Sequence, residues 1–557
     1  MFKSMLKLRL FYVLLIMGVF LPKITLADCG AFTQVPNSPF DAEESPISVA
    51  YSPAINGNLF AAVANINSGT VSVYSVDTSS GEFIELPTSP VSESDPESVA
   101  YSPIVNGQLF AAVANDSGEI SVYSVNISTG AFTEVIGSPF TAGTTPVSVA
   151  YSSIINGNLF AAVANQGSDD ISVYSVNTTT GVFTSIGAPI AAGTNPVSVA
   201  YSPVINGQLF AAVANAGGAV SVYSVNTTTG VFTQVTGSPF AAGFNPLSVA
   251  YSPIVNGNLF AAVANAGGAV SVYSVDASSG AFTSVADSPF AAGTTPISVA
   301  YSPVINGQLF AAVANKNSGD VSVYSVDMSS GIFTQLPASP FAAGILPASV
   351  AYSPIVNGNL FAAVANFDSN NVSVYSVDTA VPAATLSVSP EVIAQGNSAT
   401  LTATLTGTAP FAITYSDGFV QDGDSPLERV VSPTSTTDYQ IISVNGSGNC
   451  NPGGPSNTVT VTVTPASNTK KVVLCGRACR VARTGRPRIC GRAKPGSHVK
   501  LFANKKCVGS AKANCRGVFC IVPRKALSKG CNSVVACVRD EGTTSCSNVI
   551  RVFVKRG

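Results

Sequence analysis

The chain has 557 residues, of which 10% are charged and 46% are hydrophobic, and its formal net charge is −2. This composition excludes an intrinsically disordered protein, because disorder requires low hydrophobicity and high net charge. Abundant Val, Ala, Ser, Thr and Gly without helical spacing favour an all-β fold.

The N-terminus predicts a secretory signal peptide over residues 1–27. Lys3, Lys7 and Arg9 form a basic start, and residues 10–21 form an apolar run. Thr25 and Ala27 then occupy the small-residue positions of a cleavage motif. A membrane anchor is one alternative, but the run is short for a bilayer span; lipid attachment at Cys29 is another. We expect a protein that is secreted or on the cell surface, or else periplasmic, without an integral membrane span.

Internal repeats dominate residues 28–380. Seven copies of "LFAAVAN" recur every 50 or 51 residues, each preceded by "SVAYS" and followed by "SVYSV". Asn-Gly between the first two segments is typical of a tight hairpin, because both residues tolerate positive φ. A short fourth segment, "GxFTxV" or a variant of it, completes a four-stranded unit with the size of one propeller blade.

The seventh unit lacks its fourth strand, because "TAVPAATLSV" follows Asp378. The N-terminal "GAFTQV", residues 30–35, supplies the missing copy. This split repeat predicts a ring that the first strand closes against Val372–Val377. An open solenoid, the alternative repeat architecture, does not need such an arrangement.

The repeat "AAGTNPVSVAYSPVINGQLFAAVAN", continued by "VSVYSVNTTTGVFT", resembles the YVTN and lactonase-like β-propeller repeat. The resemblance covers nearly all of 30–380 and implies a seven-bladed β-propeller closed by an N-terminal strand. Some members of that family open sugar lactones, so the resemblance also raises this activity.

The residues of the repeats argue against catalysis. Between Gly30 and Asp378 there is no His, Arg or Cys, and Lys316 is the only Lys. A lactonase must activate water and stabilise an oxyanion, and near-identical repeats suit a scaffold better than an asymmetric site. We therefore predict no enzyme, no catalytic residue, no cofactor and no metal site, with a lactonase-like enzyme hydrolysing a sugar lactone as the alternative.

Acidic residues concentrate in the connections of the first three repeats. Solvated loops explain such residues in most proteins; the functional alternative is an acidic face that binds cations, a basic protein partner or the chain's own tail. The candidates are Asp41, Glu43, Glu44, Glu93, Asp95, Glu97, Asp116, Glu119, Asp169 and Asp170.

Residues 381–466 show alternating strands separated by turns, as in a β-sandwich. The stretch "FAITYSDG" with "DYQIISVNGSGNC" resembles Ig-like modules of bacterial surface proteins, which implies a spacer. Calcium ligation by Asp417, Asp422 and Asp424 is a further alternative, although aspartates more often form turns.

Residues 467–557 predict a second, basic and Cys-rich Ig-like β domain. From residue 470 onward, 21 Lys and Arg stand against two acids, a net charge of +19. The stretch "GRAKPGSHVKLFANKKCVGSAKANCRGVFC" resembles a bacterial Ig-like repeat. Disulfides fit the cysteine spacings better than zinc ligation, with the candidates Cys450, Cys475, Cys479, Cys490, Cys507, Cys515, Cys520, Cys531, Cys537 and Cys546.

The positive charge of this last module predicts binding to polyanions. For an exported chain we expect an anionic cell-surface polymer, glycan or lipid headgroup as the partner, with nucleic acid as the alternative. The candidate residues are Arg483, Arg486, Arg488, Arg492, Lys494, Lys500, Lys505 and Lys506. Together these features predict a surface-anchored adhesion scaffold; a periplasmic scaffold for protein partners is a further interpretation.

Overall fold

The computed structural model describes residues 30–379, 381–407, 409–445, 454–465, 472–475, 479–482, 485–540 and 543–555. The predicted signal peptide, Cys29, Cys450 and Arg483 lie outside these residues, and nothing is described of the Cys479 side chain. All regular elements in the described part of the chain are β-strands. Within it, no helix has the length and hydropathy needed to cross a bilayer.

Residues 30–379 form seven β-sheets, the blades of a propeller. The innermost strands are Pro46–Tyr51, Pro96–Tyr101, Pro146–Tyr151, Pro196–Tyr201, Pro246–Tyr251, Pro296–Tyr301 and Pro347–Tyr352. The second strands are Phe60–Asn65, Phe110–Asn115, Leu159–Asn165, Leu209–Asn215, Phe260–Asn265, Phe310–Asn315 and Phe361–Asn366. The third strands are Thr70–Val76, Glu119–Val125, Asp170–Val176, Ala219–Val225, Ala269–Val275, Asp320–Val326 and Asn371–Val377.

The outer edge of each third strand pairs with two short strands. The outermost strands are Phe32–Gln34, Phe83–Glu85, Phe132–Glu134, Phe183–Ser185, Phe232–Gln234, Phe282–Ser284 and Phe333–Gln335. Two-residue strands extend the same edge at Phe40–Asp41, Val91–Ser92, Phe140–Thr141, Ile190–Ala191, Phe240–Ala241, Phe290–Ala291 and Phe341–Ala342.

The predicted ring closure is confirmed. The N-terminal strand Phe32–Gln34 pairs antiparallel with Asn371–Val377, and Phe32 lies opposite Val377. The Gly30 N–H also donates to the Asp378 carbonyl at 2.6 Å. The seventh blade therefore takes its outermost strand from the beginning of the chain, which covers strand edges that are otherwise free to pair.

A ring of serines connects neighbouring blades. The Oγ of Ser48 accepts a hydrogen bond from the Val99 N–H at 3.3 Å, and each later blade repeats this contact at 3.1–3.4 Å. The Val49 N–H donates to Ser349 Oγ at 3.3 Å and completes the circle. The small hydroxyl side chain thus suits the innermost strands, where blades converge.

The core lies between the faces of adjacent blades. Second strands such as Phe60–Asn65 are buried along their whole length, because a neighbouring blade covers each face. Phe83 stacks on Phe40 of the seventh blade with ring centroids 5.5 Å apart. Gly81, which begins the "GxFTxV" segment, has φ +81°, and a Cβ there would lie 2.5 Å from the Phe361 ring.

Residues 381–465 contain shorter strands: Ala383–Ser389, Val392–Ala394, Ala399–Thr406, Phe411–Tyr415, Val420–Gly423, Leu427–Val431, Thr437–Tyr439, Ile441–Asn445 and Val459–Thr464. Phe411–Tyr415 pairs antiparallel with Val420–Gly423 and Ile441–Asn445. Asp417 does not offer its carboxylate to calcium, because both oxygens accept hydrogen bonds from Arg429, at 2.9 and 2.5 Å.

Residues 472–555 contain Val473–Leu474, Cys479–Ala482, Ile489–Arg492, His498–Ala503, Lys506–Lys512, Val518–Ile521, Gly530–Asp540, Thr543–Cys546 and Ile550–Val554. Strand Gly530–Asp540 pairs with His498–Ala503, Thr543–Cys546 and Ile550–Val554. Their inward side chains, including Leu501, Val534 and Val552, form the core of this basic module. The Ig-like character of both C-terminal regions stays a prediction.

Candidate active site

One face of the propeller combines two sets of connections. The turn after each second strand contacts the loop that enters an innermost strand: the Asp116 N–H donates to the Asp95 carbonyl at 3.1 Å, and the Glu93 N–H to the Gly69 carbonyl at 2.8 Å. All ten predicted acidic residues lie in or beside these segments. This face therefore carries all ten of the predicted acids.

Three of the ten acids interact at the entrance to the second blade, Glu97, Asp95 and Asp116, and Glu93 precedes them in the loop that leads to the same strand. Glu97 lies in the innermost strand Pro96–Tyr101, directly before Ser98 of the serine ring. Glu97 is half-buried, and burial, followed by the charges of Asp116 and Asp95, raises its pKa to about 7. A carboxyl with this pKa exchanges protons near neutral pH.

The repeat pattern also sets Glu97 apart from the other predicted acids, although the sequence analysis named it only as part of the acidic face. The six equivalent positions are all apolar, which indicates a site that excludes water; they are Ile47, Val147, Val197, Leu247, Ile297 and Ala348. One carboxylate at an apolar position of a repeat therefore stands out once the repeats are compared position by position. Only the structure, however, places it near the other acids.

Glu93 is held by a network of hydrogen bonds inside the second blade. Its Oε1 accepts from the Tyr123 hydroxyl at 2.5 Å, and its Oε2 from Ser121 Oγ at 2.8 Å and Asn115 Nδ2 at 3.1 Å. Burial raises the pKa of Glu93, although these three donors oppose the shift. Glu93 is thus a positioned, poorly hydrated carboxyl close to the strand that carries Glu97.

The other six predicted acids are exposed or bound locally. Asp169 Oδ1 accepts from the Asn195 N–H at 2.6 Å, and Asp170 Oδ1 accepts from Asn165 Nδ2 at 2.7 Å. These bonds stabilise turns of the third blade. The exposed residues are Asp41, Glu43, Glu44 and Glu119.

Lys316 is the one basic residue of the propeller, and it lies on the same face. It occupies, in the sixth blade, the turn position that Asp116 occupies in the second, and its N–H donates to the Thr295 carbonyl at 2.9 Å. Its Nζ lies 5.3 Å from the centroid of the Phe367 ring. This contact orients the ammonium group without neutralising it.

The arrangement offers carboxyl groups for acid–base chemistry. Among the described residues, no group of three or more His, Cys, Asp or Glu side chains has a metal-binding arrangement. Glu97, whose pKa is raised to about 7, has the proton affinity that a general base needs at neutral pH.

The basic candidates disperse over the C-terminal module. The described ones, Arg486, Arg488, Arg492, Lys494, Lys500, Lys505 and Lys506, are all exposed. Two of the predicted disulfides form, Cys490–Cys520 and Cys537–Cys546, each between directly opposed residues of antiparallel strands. Four other candidates, Cys475, Cys507, Cys515 and Cys531, are exposed and unpaired.

Comparison with known proteins identifies the propeller. The family model "Lactonase, 7-bladed beta-propeller" matches residues 117–249 and 256–399. No curated protein matches the chain. Among solved structures, a candidate 6-phosphogluconolactonase from Bacteroides uniformis is 18% identical with a TM-score of 0.44, over 54% of this chain and 87% of that one. A protein from Lactobacillus plantarum is 19% identical with a TM-score of 0.43, over 56% and 88%. These two likenesses concern the fold alone.

The family match contradicts the prediction that the chain is not an enzyme. The absence of His and Arg from the repeats says nothing about the environment of a single carboxyl. Burial in the innermost strand gives Glu97 the proton affinity that histidine ordinarily supplies near neutral pH.

Proposed function

Because the propeller belongs to the lactonase-like seven-bladed β-propeller family, we propose that this chain is a lactonase-type hydrolase with Glu97 as its general base. The raised pKa of Glu97 is the observation that supports this role. The group sits on the strand nearest the propeller axis, on the face with the asymmetric loops. A lactone that enters there meets Glu97 together with the charges of Asp95 and Asp116.

The proposed reaction is the addition of water to the lactone carbonyl. Glu97 in its carboxylate form takes a proton from water while the water oxygen attacks the carbonyl carbon, which generates a tetrahedral oxyanion. The ring C–O bond then breaks, and the protonated Glu97 returns its proton to the leaving oxygen. The product is an open-chain hydroxy acid, and the enzyme ends in its starting protonation state.

The surroundings of Glu97 set its affinity for the proton. Burial raises the pKa of Glu97 first, and the negative charges of Asp116 and Asp95 raise it further. Because these effects favour the protonated form, Glu97 can hold the proton that it takes from water until the ring oxygen leaves.

We propose that the enzyme works in an oxidising compartment outside the cytoplasm. Two cross-strand disulfides in the basic module support this location, because disulfides persist in secreted and periplasmic proteins. The N-terminal signal peptide remains a prediction, and a fractionation of cells that express the full chain tests it.

The decisive experiment is lactone hydrolysis by the full chain. Wild type, Glu97→Gln and Asp287→Asn are compared with uncharged sugar lactones, by acid release in weakly buffered solution. Asp287 is an exposed acid in the loop after an outermost strand, so its variant controls for loss of one charge. We expect Glu97→Gln to lower kcat by about 10²–10⁴-fold, as for loss of a general base. A wild-type chain without lactonase activity, or a fully active Glu97→Gln variant, contradicts the proposal.

A further inference from the structure

A cavity of about 610 Å³ opens in the basic module, beside the turn between strands His498–Ala503 and Lys506–Lys512. Its charged lining residues are Lys506, Arg524 and Lys525, which are all exposed. No carboxylate lines the cavity, and none of the three cations forms an ion pair among the described residues. Cations gathered around one concavity attract an anion more strongly than the same charges dispersed on a flat surface.

The rest of the lining suits an anionic group that is attached to a larger molecule. Ser510 offers a hydroxyl donor, and Asn504 offers a second N–H beside the one that it donates to Asn532. Val508 and Leu527 offer apolar surface. The volume is much larger than a single phosphate or sulfate ion requires. The cavity therefore has room for an oxyanion and for the uncharged group that carries it.

The hairpin turn beside the cavity holds a lysine in a strained conformation. Asn504 and Lys505 have φ of +48° and +66°, in a region that L-residues other than Asn and Asp rarely adopt. The hairpins of the propeller place glycine at the second position, as in Asn56-Gly57. Lys505 stands where those hairpins have glycine, and it adds a fourth cation next to the lining. Its positive φ costs conformational energy, which supports a role for the charge itself.

We propose that this cavity binds an oxyanion ester, a phosphate or sulfate group carried on a saccharide chain. The Arg524 guanidinium presents paired N–H donors that match two oxygens of such a group, and Lys506 and Lys525 add positive charge from the sides. A concave site accommodates a group that projects from a polymer. A bilayer surface is flat, and it suits the dispersed basic residues of the module better than this cavity.

The test uses the full chain and calorimetric titration at physiological salt. The probes are a sulfated heparin hexasaccharide, inorganic phosphate, and vesicles of phosphatidylglycerol. The cavity variant is K506Q/R524Q/K525Q, and the matched control K512Q/R539Q/K555Q removes three exposed cations outside the lining. Because charge-assisted hydrogen bonds to oxyanions are specific and strong, we expect the cavity variant to bind the hexasaccharide at least about tenfold more weakly, and the control less than about threefold.

Equal losses in the two variants overturn the proposal, because they indicate diffuse attraction by net charge. Binding to vesicles but not to the hexasaccharide identifies a membrane as the partner instead, and phosphate binding as tight as that of the hexasaccharide identifies a site for the free ion. Where the triple variant does not fold, Arg524→Lys gives the same answer, since it keeps the charge and loses the paired donors. Hexasaccharide affinity that Arg524→Lys leaves unchanged also overturns the proposal.

Discussion

The raised pKa of Glu97 predicts that this residue destabilises the fold at neutral pH. The pKa rises from 4.5, its value in an unfolded chain, to about 7 in the folded protein. Between these pH values the folded state binds more protons than the unfolded state, so stability falls as the pH rises from 4.5 through 7. Below pH 4.5 both states are protonated, and the penalty disappears.

The full shift corresponds to about 3 kcal/mol at high pH. Glu97 is only half-buried, and solvent screens its interactions with Asp95 and Asp116, so we expect about 1–2 kcal/mol. Glu97→Val introduces the residue found at the equivalent positions Val147 and Val197. It should therefore remove a pH-dependent loss of about 1–2 kcal/mol that the wild type shows between pH 4.5 and pH 8.

The assay is urea denaturation followed by circular dichroism at pH 4.5, 6, 7 and 8. The relevant quantity is the difference in free energy of unfolding between pH 4.5 and pH 8, because any gain from burying the valine side chain is present at every pH. Asp287→Asn should keep the pH dependence of the wild type. A Glu97→Val protein whose stability falls as steeply as that of the wild type refutes the reasoning, since Glu97 then titrates as an ordinary surface acid.

Two further predictions concern ring closure and the basic module. Phe32→Ala and Phe183→Ala should each lower the free energy of unfolding by about 3–5 kcal/mol, because both rings fill the same position of a blade. A much smaller loss for Phe32→Ala than for Phe183→Ala means that the N-terminal strand does not close the ring. Replacing Cys490 and Cys520 by Ser should destabilise the basic module by about 2–4 kcal/mol, as measured by calorimetry. If the unfolding transition of this module does not shift, the disulfide does not stabilise it.

The repeats were sufficient to predict the propeller. Four strands per unit follow from segment lengths and Asn-Gly turns, and ring closure follows from a seventh unit that lacks a strand found at the N-terminus. These features are local and occur in seven repeats, so a substitution in one repeat does not obscure the pattern. The register of Phe32 against Val377 confirms that inference.

Catalytic chemistry could not be predicted in the same way. The count of His and Arg in the propeller suggested an inert scaffold, whereas the family match indicates an enzyme. The proton affinity of Glu97 depends on burial and on two neighbouring charges, and composition reports neither. Glu93 likewise acquires its role from Tyr123, which follows it by thirty residues in sequence yet lies at hydrogen-bond distance.

The sequence by itself determined the all-β architecture, the number of blades and the strand that closes them, because strand periodicity and turn chemistry are properties of neighbouring residues. Only the tertiary structure decided which acids meet at the second blade, which cysteines pair, and which cations surround one cavity. Those outcomes depend on distances between residues from different strands and on how far water is excluded from them. Neither quantity can be predicted from a local stretch of the sequence.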